Sequence, residues 1–230
     1  MSSDQQTGAQ SKATNIRIMG NELGSLYSEL WQQLVWLHMK WAEYRELFGS
    51  KQSRITLLNE AAPFFFYVIQ DVMWNDILLH ICKLTDPPNS AGKSNLSVTR
   101  LPAAINDNVT STEVQKLCDA AQTATGFCRD WRNRRISHLD LDLALGQPAQ
   151  PLSPASRDDV TKALASLTQI LDAVSIHYQN STTAFSLTNT IRGAKSLLYV
   201  MDDGIKAENE RRKELENGIF NQAKHQRLGL

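Results

Sequence analysis

The chain predicts an all-α fold, an antiparallel bundle of four to six helices. Three observations carry that expectation. Apolar residues recur in steps of three and four over long stretches, no stretch alternates in the manner of a strand, and the connections between stripes are mostly short. There is no internal repeat.

Met1–Thr14 is rich in Ser, Gln and Gly without an apolar run, so it reads as a disordered lead-in and not as a signal peptide. A first helix is predicted over 16–48, where Leu23, Leu26, Leu30, Leu34, Leu37, Trp41, Tyr44 and Phe48 form one stripe ended by Gly49-Ser50. A second is predicted over 54–84. Pro63 should begin a turn or kink it, because proline lacks an N–H and clashes with the preceding turn. From Phe64 to Ile81 this helix is apolar nearly all round, which predicts the most buried helix of the fold. Asp86-Pro87-Pro88 stops it, and 87–108 reads as a loop with one short helix near Val98–Ile105.

The third long helix is expected to open on a capping box, Thr110-x-x-Glu113. Its stripe, Val114, Leu117, Cys118, Ala121, Ala124, Phe127, Cys128 and Trp131, leads straight into an Arg/His segment. Gly146, Pro148, Pro151 and Pro154 make a linker. Ser156 then caps a fourth helix, with Asp158 and Asp159 in its first turn where the dipole favours carboxylates. A last helix is predicted over 187–216, apolar at first and charged from Lys206 to Glu216. The expected division is lead-in 1–14, helical bundle 15–205, and charged helix end and tail 206–230.

Composition sets the class. The 230 residues are 42% hydrophobic and 21% charged, ordinary for a globular protein. The 24 basic and 24 acidic residues give zero net charge, which disfavours non-specific coating of nucleic acid. Cys82, Cys118 and Cys128 are odd in number and lack CxxC spacing, so they read as reduced core thiols of a cytoplasmic protein. The longest apolar run, Ala61–Ile69, is far below the ~20 residues a bilayer helix needs.

Function is concentrated in Arg132-Asn133-Arg134-Arg135-Ile136-Ser137-His138. Between Arg129 and His138 four arginines face one carboxylate, Asp130, a local positive patch in a neutral chain. Arginine matches phosphate oxygens with planar donors and never deprotonates, and histidine titrates near ~6.5, so the set suits metal-free phosphodiester chemistry. In that chemistry a base takes the 2′-hydroxyl proton, an acid protonates the leaving 5′ oxygen, and cations neutralise the phosphorane. Arg134 and Arg135 flank His138 on an ideal helix. Arg132, six residues back, is rotated by about 120° at ~100° per residue. Convergence then needs its long side chain, a helix distortion, or a second copy meeting it across a two-fold axis. The plainer reading of the same residues is a solvated basic helix end, favoured by the dipole.

Other candidates are weaker. Ala91-Gly92-Lys93-Ser94 ends like a phosphate loop, but Pro87 stands where the first glycine belongs and no strand precedes it. Asp76 and His80, four apart on the second helix, can bond each other, as a satisfied core pair or as a support behind the active cleft. Two ligands are too few for a metal site. Asp140 and Asp142 near His138 read as helix-end solvation, with Asp140 an alternative orienter of His138. Trp31, Trp36, Trp41, Trp74 and Phe64–Phe66 read as core and not as base-stacking platforms, because basic residues do not interleave them.

Taken together, several segments resemble the HEPN superfamily, and more closely its abortive-infection U-type branch, over most of residues 20–205. They are Leu34–His38 with Trp41–Arg45, Leu57–Phe66, Leu84–Pro87, Asp130–His138 and Ser196–Val200. The resemblance implies an all-α bundle, homodimerisation, and metal-independent RNA cleavage in anti-phage or toxin–antitoxin systems. Carried over, Arg132 is the motif arginine, Asn133 the polar residue after it, and His138 the motif histidine. Arg134 and Arg135 would attract the RNA backbone.

The expectation is therefore a cytoplasmic homodimeric RNA endonuclease acting against phage or as a toxin, with Arg132, Asn133 and His138 at the dimer interface and no cofactor or metal. Its expected partners are RNA, tRNA included, and an antitoxin or sensor protein, with no membrane. The alternative is a non-catalytic helical module that dimerises or binds such a partner, as some members of the superfamily do.

Overall fold

The computed structural model describes residues 7–49, 51–90, 92–147, 150–185 and 192–220. The described residues are mostly helical, with loops and one two-stranded hairpin between the helices. The helices are α1 (Gly8–Met19), α2 (Asn21–Phe48), α3 (Gln52–Ala61), α4 (Pro63–Thr85), α5 (Leu101–Ala104), α6 (Asn108–Ala124), α7 (Gly126–Trp131), α8 (Leu141–Ala144), α9 (Arg157–Gln179) and α10 (Ala194–Glu216). A 3₁₀ turn at Val98–Arg100 precedes α5, and a π-helical turn at Arg132–Ile136 follows α7. None of the described helices is long and apolar enough to cross a membrane.

Contacts divide the chain into two units, 1–42 with 73–189 and 43–72 with 190–230. In the first, Leu30, Leu34 and Leu37 of α2, Ile77, Leu78 and Ile81 of α4, Val114 and Cys118 of α6, and Leu167 and Ile170 of α9 are all buried. In the second, Tyr44, Phe48, Leu58, Phe66 and Leu198 are buried, and α3 packs against α10.

The structure departs from expectation at several places. Residues 8–14 of the expected lead-in are helical; residues 1–6 lie outside the described set. A capping box starts α1, with Gln10 N–H donating to the Thr7 side chain and Thr7 N–H to the Gln10 side chain. Gly20, at φ +85°, ends α1, and α2 begins at once. The two helices approach so closely that a Cβ on Gly24 would lie 2.5 Å from the Ile16 Cα. Pro63 splits the predicted second helix, so α3 ends at Ala61 and α4 starts on proline, where a missing N–H costs nothing.

The first half of α4 is not buried. Phe64, Phe65, Tyr67, Val68 and Val72 are exposed, whereas Ile77 to Leu84 form core. Trp36 is also exposed, with the Lys40 ammonium 5.7 Å from its ring, while Trp41 and Phe66 are core as expected. The third long helix begins at Asn108, two residues before Thr110. Asp107 caps it by accepting from Thr110 N–H, and the Thr110 hydroxyl is engaged with His177 Nδ1 at 2.9 Å, so the expected box does not form. Ser156 caps α9 as predicted, in a full capping box with Asp159. The last helix starts at Ala194; residues 187–191 of its predicted span lie outside the described residues.

Candidate active site

The Arg/His segment is positioned by a break in the third helix. Thr125, fully buried, ends α6 and turns its hydroxyl back to the Ala121 carbonyl at 2.8 Å. Thr85, at the end of α4 and also fully buried, fixes the next turn, because Arg129 Nη2 donates to its carbonyl at 2.6 Å and its hydroxyl at 3.0 Å. Trp131 packs edge-on against Trp74, with ring centroids 6.4 Å apart, and its indole N–H donates to the Ser153 carbonyl at 2.8 Å. These contacts hold α7 where the helix widens. Ser137 N–H bonds Arg132 C=O at 2.8 Å, an i→i+5 bond, and Asp140 N–H reaches Arg134 C=O at 3.1 Å. The helix distortion named as one route to convergence is therefore present.

Arg132 meets a residue from far along the chain. Its Nη1 donates to both carboxylate oxygens of Asp86, at 2.8 and 2.9 Å, and its Nε donates to Asn133 Oδ1 at 3.1 Å. The Nη2 donors have no partner among the described residues, so one edge of the guanidinium stays open to an anion. The Arg132 and Asp86 side chains are 26% and 23% exposed, a half-buried pair with one open side. Arg129 adds a second cation 4.0 Å from Asp86.

Asp86 was missed as a site residue because Asp86-Pro87-Pro88 reads as a helix stop. The available signal was electrostatic. A carboxylate at a helix C-terminus opposes the dipole and calls for a cation.

Arg134 and Arg135 differ from each other. Arg134 is spent on structure, with Nε to Asp140 at 3.2 Å, Nη1 to Asp130 at 3.4 Å and to the Pro151 carbonyl, and Nη2 to the Gln150 carbonyl. Those donors brace the loop after the helix. Asp130 and Asp140 are both held below the usual carboxylate range, first by the backbone N–H groups of Ser153 and Leu143 and then by Arg134. Asp140 also caps α8, so its carboxylate belongs to Arg134 and Leu143 and not to His138. Arg135 is exposed and lies over the Trp131 ring at 5.3 Å. His138 is exposed and makes no side-chain hydrogen bond among the described residues.

Asp76 and His80 do not bond each other. Lys40 lies between them, donating to Asp76 Oδ2 at 2.6 Å and standing 3.5 Å from His80 Nδ1, while His80 Nε2 pairs with Gln33 Oε1 at 3.1 Å. Burial, helped by Lys40, lowers the His80 pKa to about 4, so this imidazole is neutral. His80 and Asp86 both line a cleft of about 300 Å³ with Lys83 and Asn95. His80 thus shares a cleft wall with the carboxylate that holds Arg132. The thiol of Cys128 donates to Cys82, which lowers the Cys82 pKa and raises that of Cys128, and the charges of Arg132 and Arg129 lower Cys82 further. All three cysteines are free and buried.

Gly92-Lys93-Ser94 lies in the hairpin, where Ser90 pairs with Lys93 and Asn89 with Ser94, and Gly92 takes φ +75° for its turn. No long helix follows it, so it is not a phosphate loop; Ala91 lies outside the described residues.

Residues 20–197 match the family model described as HEPN_AbiU2, AbiU2. The chain belongs to the AbiU2 family of HEPN domains. The match takes in both residues of the half-buried pair, Asp86 and Arg132, and the exposed His138. Neither a curated protein nor a solved structure gave a match. Membership in the AbiU2 family agrees with the all-α architecture and identifies the chain as an abortive-infection HEPN domain.

Proposed function

We infer that this chain is a metal-independent RNA endonuclease, an effector that acts against phage or as a toxin. One observation carries the reading. Within a single distorted helix end, Arg132 is held by Asp86 and Asn133 with one donor edge open, and His138 stands exposed without a side-chain hydrogen-bond partner among the described residues. A guanidinium fixed by a carboxylate loses little freedom when it meets a phosphate, which is the preorganisation that charge stabilisation in a transition state needs. In this reading Arg132 neutralises the phosphorane, Asn133 and Asp86 position Arg132, Arg135 attracts the RNA backbone, and His138 moves the proton at the 2′ or 5′ oxygen.

The reading includes a second copy of the chain. One copy supplies one Arg132 and one His138, and a two-fold axis would pool two of each. The exposed stripe on α4 supports association. Phe64, Phe65 and Tyr67 are 78%, 56% and 72% exposed. At ~150–250 Å² per aromatic side chain they offer about 300–500 Å², and Val68 and Val72 extend this toward the ~800 Å² per partner of a stable interface.

The test is cleavage of labelled RNA in EDTA by wild type, Arg132→Ala and His138→Ala. Activity confined to wild type supports the reading. Equal activity in His138→Ala overturns it. An absence of cleavage by any of the three, with folded dimers in each, leaves the non-catalytic partner-binding module as the better reading.

A further inference from the structure

The unit formed by 43–72 and 190–230 holds a polar cleft that the nuclease reading does not use. It measures about 300 Å³ and is lined by Lys51, Ser53, Arg54, Lys195 and Tyr199, together with the carboxylates of Glu46 and Asp202. Both carboxylates are already neutralised. Arg54 pairs with Glu46 at 2.8 Å, and Lys206 pairs with Asp202 at 2.6 Å. The Lys51 and Lys195 side chains have no ion pair or hydrogen bond among the described residues. Two uncompensated ammonium groups therefore share one concave site, and their natural complement is an anion.

Their positions strengthen the point. Lys51 is the N-cap residue of α3, where its side chain makes no capping bond, and Lys195 lies in the first turn of α10. Neither first turn contains an acidic residue. A cation at a helix N-terminus is opposed by the dipole, as at Lys51 of α3; at α10 the Glu43 carboxylate accepts from Ala194 N–H and offsets the helix end. An anion between the two lysines would offset both ammonium charges. The hydroxyls of Ser53 and Tyr199 add donors that favour phosphate over a simple halide. The Tyr199 ring is 62% exposed beside the charges, a flat surface for a base.

We propose that this cleft binds the phosphate of a nucleotide or of an RNA strand, with Lys51 and Lys195 on the phosphate and Tyr199 under the base. The proposal does not depend on the Arg132–His138 chemistry. The experiment is titration calorimetry on the full-length His138→Ala protein, so that bound RNA is not cut. The probes are inorganic phosphate, a nucleoside 5′-monophosphate and a short single-stranded oligoribonucleotide.

Removing one charged donor weakens binding by about tenfold or more, so Lys51→Ala and Lys195→Ala each raise Kd by that factor and the double variant by more. Tyr199→Leu weakens the monophosphate and spares inorganic phosphate. The double Lys→Arg variant keeps binding, because charge is retained. Monophosphate binding that the lysine changes abolish identifies a free nucleotide as the ligand. Binding of the oligonucleotide alone, lost in the same variants, identifies the strand. Failure of all three probes, or binding unchanged by the double alanine variant, overturns the proposal. Because both lysines are exposed, matching thermal unfolding curves verify that the variants fold.

Discussion

Replacing Asp86 with alanine removes both acceptors from the Nη1 edge of Arg132 and one side of the Arg129 contact. A hydrogen bond to a charged group contributes ~1.5–3 kcal/mol, but here one nitrogen makes both bonds and the pair is partly solvated, so the whole is worth about 2 kcal/mol. Taking a carboxylate off a helix C-terminus returns ~0.3–1 kcal/mol, which leaves a net cost of about 1–2 kcal/mol. For a chain of this size that is a fall of roughly 2–8 °C in Tm. Well below Tm such a loss leaves the population folded, so any larger effect on cleavage is positional.

A loosened Arg132 shifts by about an ångström, and misplacement of that order costs on the order of 100-fold. Asp86→Ala is therefore expected to lower kcat of RNA cleavage about 100-fold with KM nearly unchanged. Asp86→Asn, which keeps one acceptor without the charge, falls between the two. Single-turnover cleavage and thermal unfolding are the assays. Wild-type cleavage by a folded Asp86→Ala protein would refute the argument that Asp86 positions Arg132.

Burial holds the His80 pKa at about 4, below its unfolded value near ~6.5, so the unfolded chain binds the proton first as pH falls. Its contribution is complete above ~6.5 and is lost between there and about 4, at up to ~1.4 kcal/mol per pH unit. Tm should fall across that window, and His80→Gln should flatten the fall. The contrary result is a wild-type Tm that does not change between pH 7 and 4.5. Gly24→Ala drives a methyl into the backbone of α1 and is expected to cost about 1–3 kcal/mol, read as a lower Tm; an unchanged Tm would contradict the close approach. Phe64→Asp with Phe65→Asp leaves the core intact and should shift sedimentation toward monomer, whereas an unaltered dimer would place the interface elsewhere.

The stripes of α2, α6 and α9 were legible because apolar spacing reports burial directly, and Ser156 was legible because a box with Asp159 is local chemistry. Local chemistry misled at Thr110, where Asp107 is the better cap and His177, distant in sequence, takes the hydroxyl. Phe64 to Val72 read as core because hydrophobicity says that a face needs covering and not whether the same chain covers it. At the site, Arg132, Asn133 and His138 stood out by residue type and spacing. Asp86 did not, because its value lies in a contact across 46 positions. Nor did the loss of Arg134 to Asp130, Asp140 and the carbonyls of 150 and 151, which only the folded loop creates.

The most direct measurement is the fate of labelled RNA incubated in EDTA with wild type, Arg132→Ala and His138→Ala, with product ends identified. The account predicts cleavage by wild type alone, leaving 2′,3′-cyclic phosphate and 5′-hydroxyl ends. Cleavage that survives His138→Ala, or that requires a divalent metal, would contradict it.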